Sequence, residues 1–224
     1  MPDGAGDRFS GYAVMGLPFS GGDVLALRRF PVASAGVAYT SVWHRDAEGR
    51  WTFYADVPTS EGCTRYWGPA VDQVVTAPIR LEWTGGRTLT VSVDGGRLVT
   101  WTLALAASPA TGVLNGVARR IPEAWWQRPR LLRLVGAVAR PLLGTGRMRL
   151  CGTTPTGHEF LSNPLAVWTV VASRATVAGR DLGAPGRMAT QAALGEFLIP
   201  QQGLFVIGRV FMRRPGGVAA GAQS

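Results

Sequence analysis

The segment PIRLEWTGGRTLTVSVDGGRLVTWTLAL, residues 78–105, constrains the fold of this chain more than any other. Apolar and polar residues alternate with period two. The alternation is cut at Gly85-Gly86 and again at Asp94-Gly95-Gly96. Glycine accepts the positive φ that tight hairpin turns need. Three antiparallel strands are therefore expected, near 78–84, 87–93 and 97–105. Ile79, Leu81 and Trp83 share one face. Leu89, Val91, Val93, Val99, Trp101, Leu103 and Leu105 continue it, and Arg80, Glu82 and a row of threonines take the other. One dry and one wet face is the pattern of an antiparallel meander or barrel wall.

The rest of the chain extends the pattern. DVLALRRFPVAS (23–34) reads as a strand bulged at Pro31. In SVWHRDAEGRWTFYADV (41–57) the turn residues DAEG separate two strands. With Arg45 opposite Trp51, Trp43 falls near Phe53 and His44 near Thr52. Later strands are expected in RMRLCGTTPTGHEFLSNP, in AVWTVVASRATVAG and in LGEFLIPQQGLFVIGRVFMRR. Between them the period changes. In RPRLLRLVGAVARPLLG, Leu131, Leu132, Leu134, Val135, Val138 and Leu142 follow helical spacing. The expected architecture is mainly β: a single antiparallel barrel of about 9–11 strands with an amphipathic helical insert near 110–143. Residues 23–214 make one domain, 1–22 a flexible start and 215–224 a disordered tail.

Charge is unevenly placed. Residues 1–110 hold nine arginines and ten acids, whereas residues 111–224 hold fourteen arginines and four acids. Between Arg119 and Arg149 there are eight arginines and one acid, Glu123. Arg130, Arg133 and Arg140 lie off the apolar stripe. Three readings stay open: a solvated face, a peripheral membrane contact through basic residues and Trp125-Trp126, or an arginine grip on a carboxylate or phosphate. No reader motif points to nucleic acid. The start, MPDGAGDRFSG, lacks an apolar signal core, and no apolar run reaches spanning length, so a cytoplasmic location is expected.

Several chemistries have no support. The chain contains no lysine, so neither a lysine Schiff base nor a P-loop lysine can form. Cys63 and Cys151 lie far apart without metal-ligand spacing. Neither a metal nor a cofactor is expected. The polar candidates for catalysis are His44, Tyr54, Asp56, Glu82 and Arg28. Strand alternation puts Trp43 and Phe53 on the inward face, so His44 should point outward or to the rim. Asp56 lies roughly 13 Å along from it, too far for a hydrogen bond. His158-Glu159 sits beside a turn, and Glu196 could act as a base at a strand mouth. Trp43, Phe53, Trp83, Trp101 and Tyr39 either fill a core or line a pocket for a hydrophobic or ring-containing molecule.

The strand order, with RLVTWTLAL, the hairpin MRLCGTTPTGHEF and the closing FLIPQQGLFVIGRVFM, resembles the acetoacetate decarboxylase-like superfamily of single β-barrel domains with helical excursions. That family's activity depends on a Schiff-base lysine, which is absent here, so decarboxylation by that route is excluded. A lipocalin-like barrel competes equally; Gly49-Arg50-Trp51 matches the lipocalin Gly-x-Trp, but it follows an internal hairpin rather than lying on the first strand and is discounted. Two function classes follow. One is a cofactor-independent cyclase, isomerase or lyase acting on an apolar metabolite of secondary metabolism. The other is a non-catalytic carrier or sensor of a hydrophobic ligand, docking on membranes through the basic insert.

Overall fold

The computed structural model of the chain describes residues 6–214. The strands are β1 (Asp7–Pro18), β2 (Val24–Ala33), β3 (Tyr39–Arg45), β4 (Trp51–Ala55), β5 (Gln73–Thr76), β6 (Ile79–Thr84), β7 (Thr88–Val93) and β8 (Val99–Ala106). After the helical insert come β9 (Cys151–Thr153), β10 (Glu159–Val177), β11 (Arg180–Asp181), β12 (Ala193–Leu194), β13 (Phe197–Leu198) and β14 (Leu204–Arg213). The helices are a single turn, α1 (Thr64–Trp67), and then α2 (Pro109–Ala118) and α3 (Pro129–Leu143). A 3₁₀ turn at Glu123–Gln127 joins the last two.

The main sheet runs β5-β4-β3-β2-β1-β14-β10-β8-β7-β6, with β9 and β11 also on β10. All pairs are antiparallel except β4–β5. The architecture is mainly β and barrel-like, as expected, with β5 and β6 at the two ends of a curled sheet. The curl is visible in the packing. Leu25, Leu27, Val42 and Tyr54 from one arm share a core with Leu89, Val91, Trp101 and Leu103 from the other. The opposite face of β1–β4 is also covered. Phe9, Phe30, Tyr39, Trp43 and Phe53 pack there with Tyr66 and Trp67 of α1 and Phe197 of β13. So β2–β4 are dry on both sides, not on one.

That double burial corrects several expectations. His44 is buried at 7% exposure and does not point outward. Residues 7–18 are not a flexible start. They form β1, a central strand between β2 and β14 that buries Phe9, Val14 and Leu17. The segments around 160 and 170 are one 19-residue strand, β10, which continues past Pro164 by a register shift between Pro164 and Ala166. A bulge accommodates the missing proline N–H. The expected disordered tail, 215–224, lies outside the described residues. Among the described residues no helix is long and apolar enough to cross a membrane.

Candidate ligand-binding pocket

The helical insert covers part of the sheet because its ends are well specified. Ser108 accepts from the Thr111 N–H while the Thr111 hydroxyl accepts from the Ser108 N–H, a reciprocal capping box, with Pro109 in the first turn of α2. Gly144, in the left-handed region at φ 62°, closes α3. Leu132, Ala139 and Leu143 anchor α3 by burial. Asn115 ties α2 to β10 twice. Its Nδ2 donates to the Val167 carbonyl at 3.0 Å and its Oδ1 accepts from the Val167 N–H at 2.7 Å.

Between α2, α3 and the strands β1, β14 and β10 lies a cavity of about 280 Å³. Its walls are mostly aliphatic, with Val113, Val117, Leu134, Val138 and Leu142 from the helices and Met15, Val206 and Val210 from the sheet. Its floor includes Gly11 and Gly208, which face each other across β1 and β14. No side chain fits at either. A Cβ on Gly208 would lie 2.3 Å from the Asn163 carbonyl oxygen, and one on Gly11 2.0 Å from that of Arg29.

The polar lining is sparse: Arg28, Asn115, Ser162, Asn163, Arg209 and Tyr12. Arg28 is 6% exposed. Its Nη1 donates to the Val14 carbonyl at 2.6 Å and the Leu27 carbonyl at 2.9 Å, and Nη2 to the Met15 carbonyl at 3.4 Å. The guanidinium lies 4.4 Å over the Trp43 ring and 5.2 Å from that of Phe197. Carbonyls and ring faces satisfy its donors but carry no full negative charge. Among the described residues no carboxylate pairs with it. Burial pushes its pKa down to about 10, so it keeps its charge at neutral pH. Asn163, 4% exposed, has a buried Oδ1 with no hydrogen-bond partner. The cavity thus joins exposed aliphatic residues and a buried cation without an acidic partner in one lining.

The other candidates from the sequence lie elsewhere. His44 Nε2 donates to Asp23 Oδ1 at 2.7 Å, and Arg180 donates to the same carboxylate at 2.8 and 3.0 Å. Asp23 is fully buried. Burial alone would raise its pKa, but the bonds and charges of Arg180 and His44 together hold it below the ordinary value. Tyr54 belongs to the core inside the curl, and burial raises its pKa. Asp56 accepts from the Thr40 N–H at 2.6 Å. Glu82 is exposed on the edge strand β6, 3.7 Å from Arg80. Of the five, Arg28 alone lines the cavity.

The aromatic candidates do not converge on one interior. Trp43 stacks on Phe53 with centroids 4.4 Å apart, and Tyr39 meets the Cys63 thiol at 3.2 Å, on one face of the sheet. Trp101 fills the core inside the curl and donates to Ser173 Oγ at 2.8 Å. Trp83 is 42% exposed, edge-on to Phe205. None of the five lines the cavity. Arg130, Arg133 and Arg140 are exposed on α3. Glu196 accepts from the Thr153 N–H at 2.8 Å, and His158 accepts or donates at Thr156 Oγ1 at 3.0 Å. Among the described residues no cluster of three His, Cys, Asp or Glu could hold a metal ion. Sequence reasoning missed Asn163 and the glycine floor. The one local signal was Gly208 inside the strand-like LFVIGRVFM, where glycine marks a close backbone approach.

No protein-family model matches the chain, and no curated protein matches it. Solved structures do, two acetoacetate decarboxylase structures among them. Acetoacetate decarboxylase from Legionella pneumophila subsp. pneumophila str. Philadelphia 1 is matched over 95% of this chain and 86% of its own, at 13% identity and a TM-score of 0.40. A second acetoacetate decarboxylase structure is matched over 95% and 88%, at 10% identity and a TM-score of 0.43.

Proposed function

We propose that this chain binds a small amphiphile, a hydrophobic chain or ring carrying one carboxylate, and acts as its carrier or sensor. One observation carries the reading. Arg28 is a buried cation without an acidic partner in the lining of a mostly apolar cavity. A buried charge left unpaired is costly, and a ligand carboxylate in bidentate contact relieves that cost. The unpartnered Asn163 Oδ1 offers a second polar contact to a ligand hydroxyl or protonated acid. The cavity of about 280 Å³ is near the lower end of the usual range for small-molecule sites. The ligand is therefore small, or leaves its tail between the helices.

Of the usual groups for proton transfer the lining holds only Tyr12, with no His, Asp, Glu or Cys. That favours binding over catalysis. A second reading, a cofactor-independent cyclase, isomerase or lyase, rests on Arg28 as an electrostatic catalyst. Its lowered pKa makes it a stronger donor to developing negative charge.

Native mass spectrometry of freshly purified protein, with extraction of anything bound, identifies the ligand class. Displacement of a fluorescent fatty acid then compares a carboxylic acid with its methyl ester. The acid should bind more tightly, and Arg28→Met should cut its affinity by roughly 10- to 100-fold while sparing the ester. Equal binding of acid and ester by the unmutated protein refutes the reading. An extracted ligand returned chemically altered after incubation favours the enzyme, and one returned unchanged the carrier.

A further inference from the structure

Large apolar residues exposed to solvent concentrate on the helical insert. Val113 and Val117 are 61% and 52% exposed on α2, and Leu134, Val138 and Leu142 are 60%, 46% and 46% exposed on α3. Each set repeats every four residues, so each forms a row along its helix. Both rows also line the cavity, so they are the lips of its mouth. Trp125, in the turn joining the helices, is 48% exposed. Solvent-facing apolar rows on two adjacent helices mark a surface with a partner.

The charges around the mouth identify the partner's chemistry. All eight arginines from Arg119 to Arg149 are exposed. The single acid of that stretch, Glu123, is neutralised by Arg209. Among the described residues only Arg149 of the eight pairs with a carboxylate, Glu196 at 3.3 Å. At 100° per residue, Arg133 and Arg140 lie on a different flank of α3 from the row Leu134, Val138 and Leu142. Arg128 holds its guanidinium 5.2 Å from the Trp125 ring, an aromatic that suits a membrane–water boundary. Apolar lips, a tryptophan and a rim in which arginines outnumber acids are complementary to an anionic bilayer.

We infer that the mouth of the cavity docks on an anionic phospholipid surface, with the lips of α2 and α3 entering the boundary and the arginines meeting the headgroups. The docking does not depend on what fills the cavity. If the ligand is also an amphiphile, it would pass between bilayer and cavity without crossing water.

The test is co-sedimentation of the whole protein with vesicles. One set is pure phosphatidylcholine, the other an equimolar mixture of phosphatidylcholine and phosphatidylglycerol. Binding is expected to the mixture, to weaken as salt is raised, and to be slight on pure phosphatidylcholine. Each arginine near the surface is worth roughly fivefold, so the triple variant R130Q/R133Q/R140Q should lose about a hundredfold. Its melting temperature serves as the folding control, since none of the three side chains lines the cavity. Trp125→Ser tests the apolar component separately and should weaken binding to the mixture at high salt, where the arginine contribution is screened. Absence of binding to the mixture overturns the inference, as does binding undiminished in the triple variant. A stable dimer in solution that V113D/L134D converts to monomer also overturns it, because a second copy would then cover the lips. None of these results bears on whether Arg28 selects acids over esters.

Discussion

Two buried charges in this chain are handled in opposite ways. Asp23 is enclosed by His44 and Arg180, whereas Arg28 meets only carbonyls and ring faces. The folded pKa of Asp23 lies below its unfolded value of about 3.9. Its stabilisation is therefore fully present above about pH 4 and is lost as pH falls through the lower folded value. Asp23→Asn should cost about 2 kcal/mol in urea unfolding at pH 7 and progressively less below pH 4. A cost that stays constant down to pH 2 would show that shape, not charge, holds the cluster. Arg28→Met should behave differently. Removing a cation that has no acidic partner should leave the empty protein within about 1 kcal/mol of its original stability, or raise it, while acid binding falls. Loss of several kcal/mol would instead make Arg28 a structural residue. The hairpin of His44 was legible in its sequence, down to the pairs Trp43–Phe53 and His44–Thr52. The partner of His44 was not. Asp23 is reached only through the register that sets Leu25 against His44 on the neighbouring strand, and Arg180 is 157 residues from Asp23 along the chain.

At the scale of elements, glycines divide by whether their reason is local. Gly85, Gly86, Gly95 and Gly96 adopt positive φ in two tight turns, and the sequence marks those turns because the requirement lies within a few residues. Gly11 and Gly208 are needed because other strands press against them, so only tertiary structure shows their purpose. The same blindness hides β1, whose alternation is interrupted by Gly11 and Gly16, and the continuity of β10 through Pro164. Gly208→Ala should force the Asn163 carbonyl away, cost about 1–3 kcal/mol and weaken ligand binding at the cavity floor. Gly85→Ala meets nothing within 4 Å and should cost only about 1 kcal/mol from its backbone conformation, with binding unchanged. Thermal melts of the two variants, with probe titrations, check the contrast. If Gly208→Ala proves as mild as Gly85→Ala, the floor is more compliant than its contacts imply.

For the whole molecule, the meander and the amphipathic insert were enough to indicate a mainly β, barrel-like chain with a helical excursion. They did not indicate that the sheet is dry on both faces over β2–β4. Alternation within a strand assigns side chains to two sides, but it does not say what covers each side. Here the curl covers one side, and α1 with the β12–β13 hairpin covers the other. The insert is held more lightly. Of α2 only Thr111 is buried, and of α3 only Leu132, Gly136, Ala139 and Leu143. Segments with little buried apolar surface open at the lowest free energy. Amide hydrogen exchange should therefore be faster over residues 109–143 than over β1, β2 and β14. A bound amphiphile gains contacts with the helices and the floor strands alone, so its protection should appear over 113–142 and around Gly11 and Gly208. The β6–β8 meander should exchange as before. Protection spread evenly over the meander as well would mean that ligand energy is delivered to global unfolding, which would require the insert to open only together with the sheet.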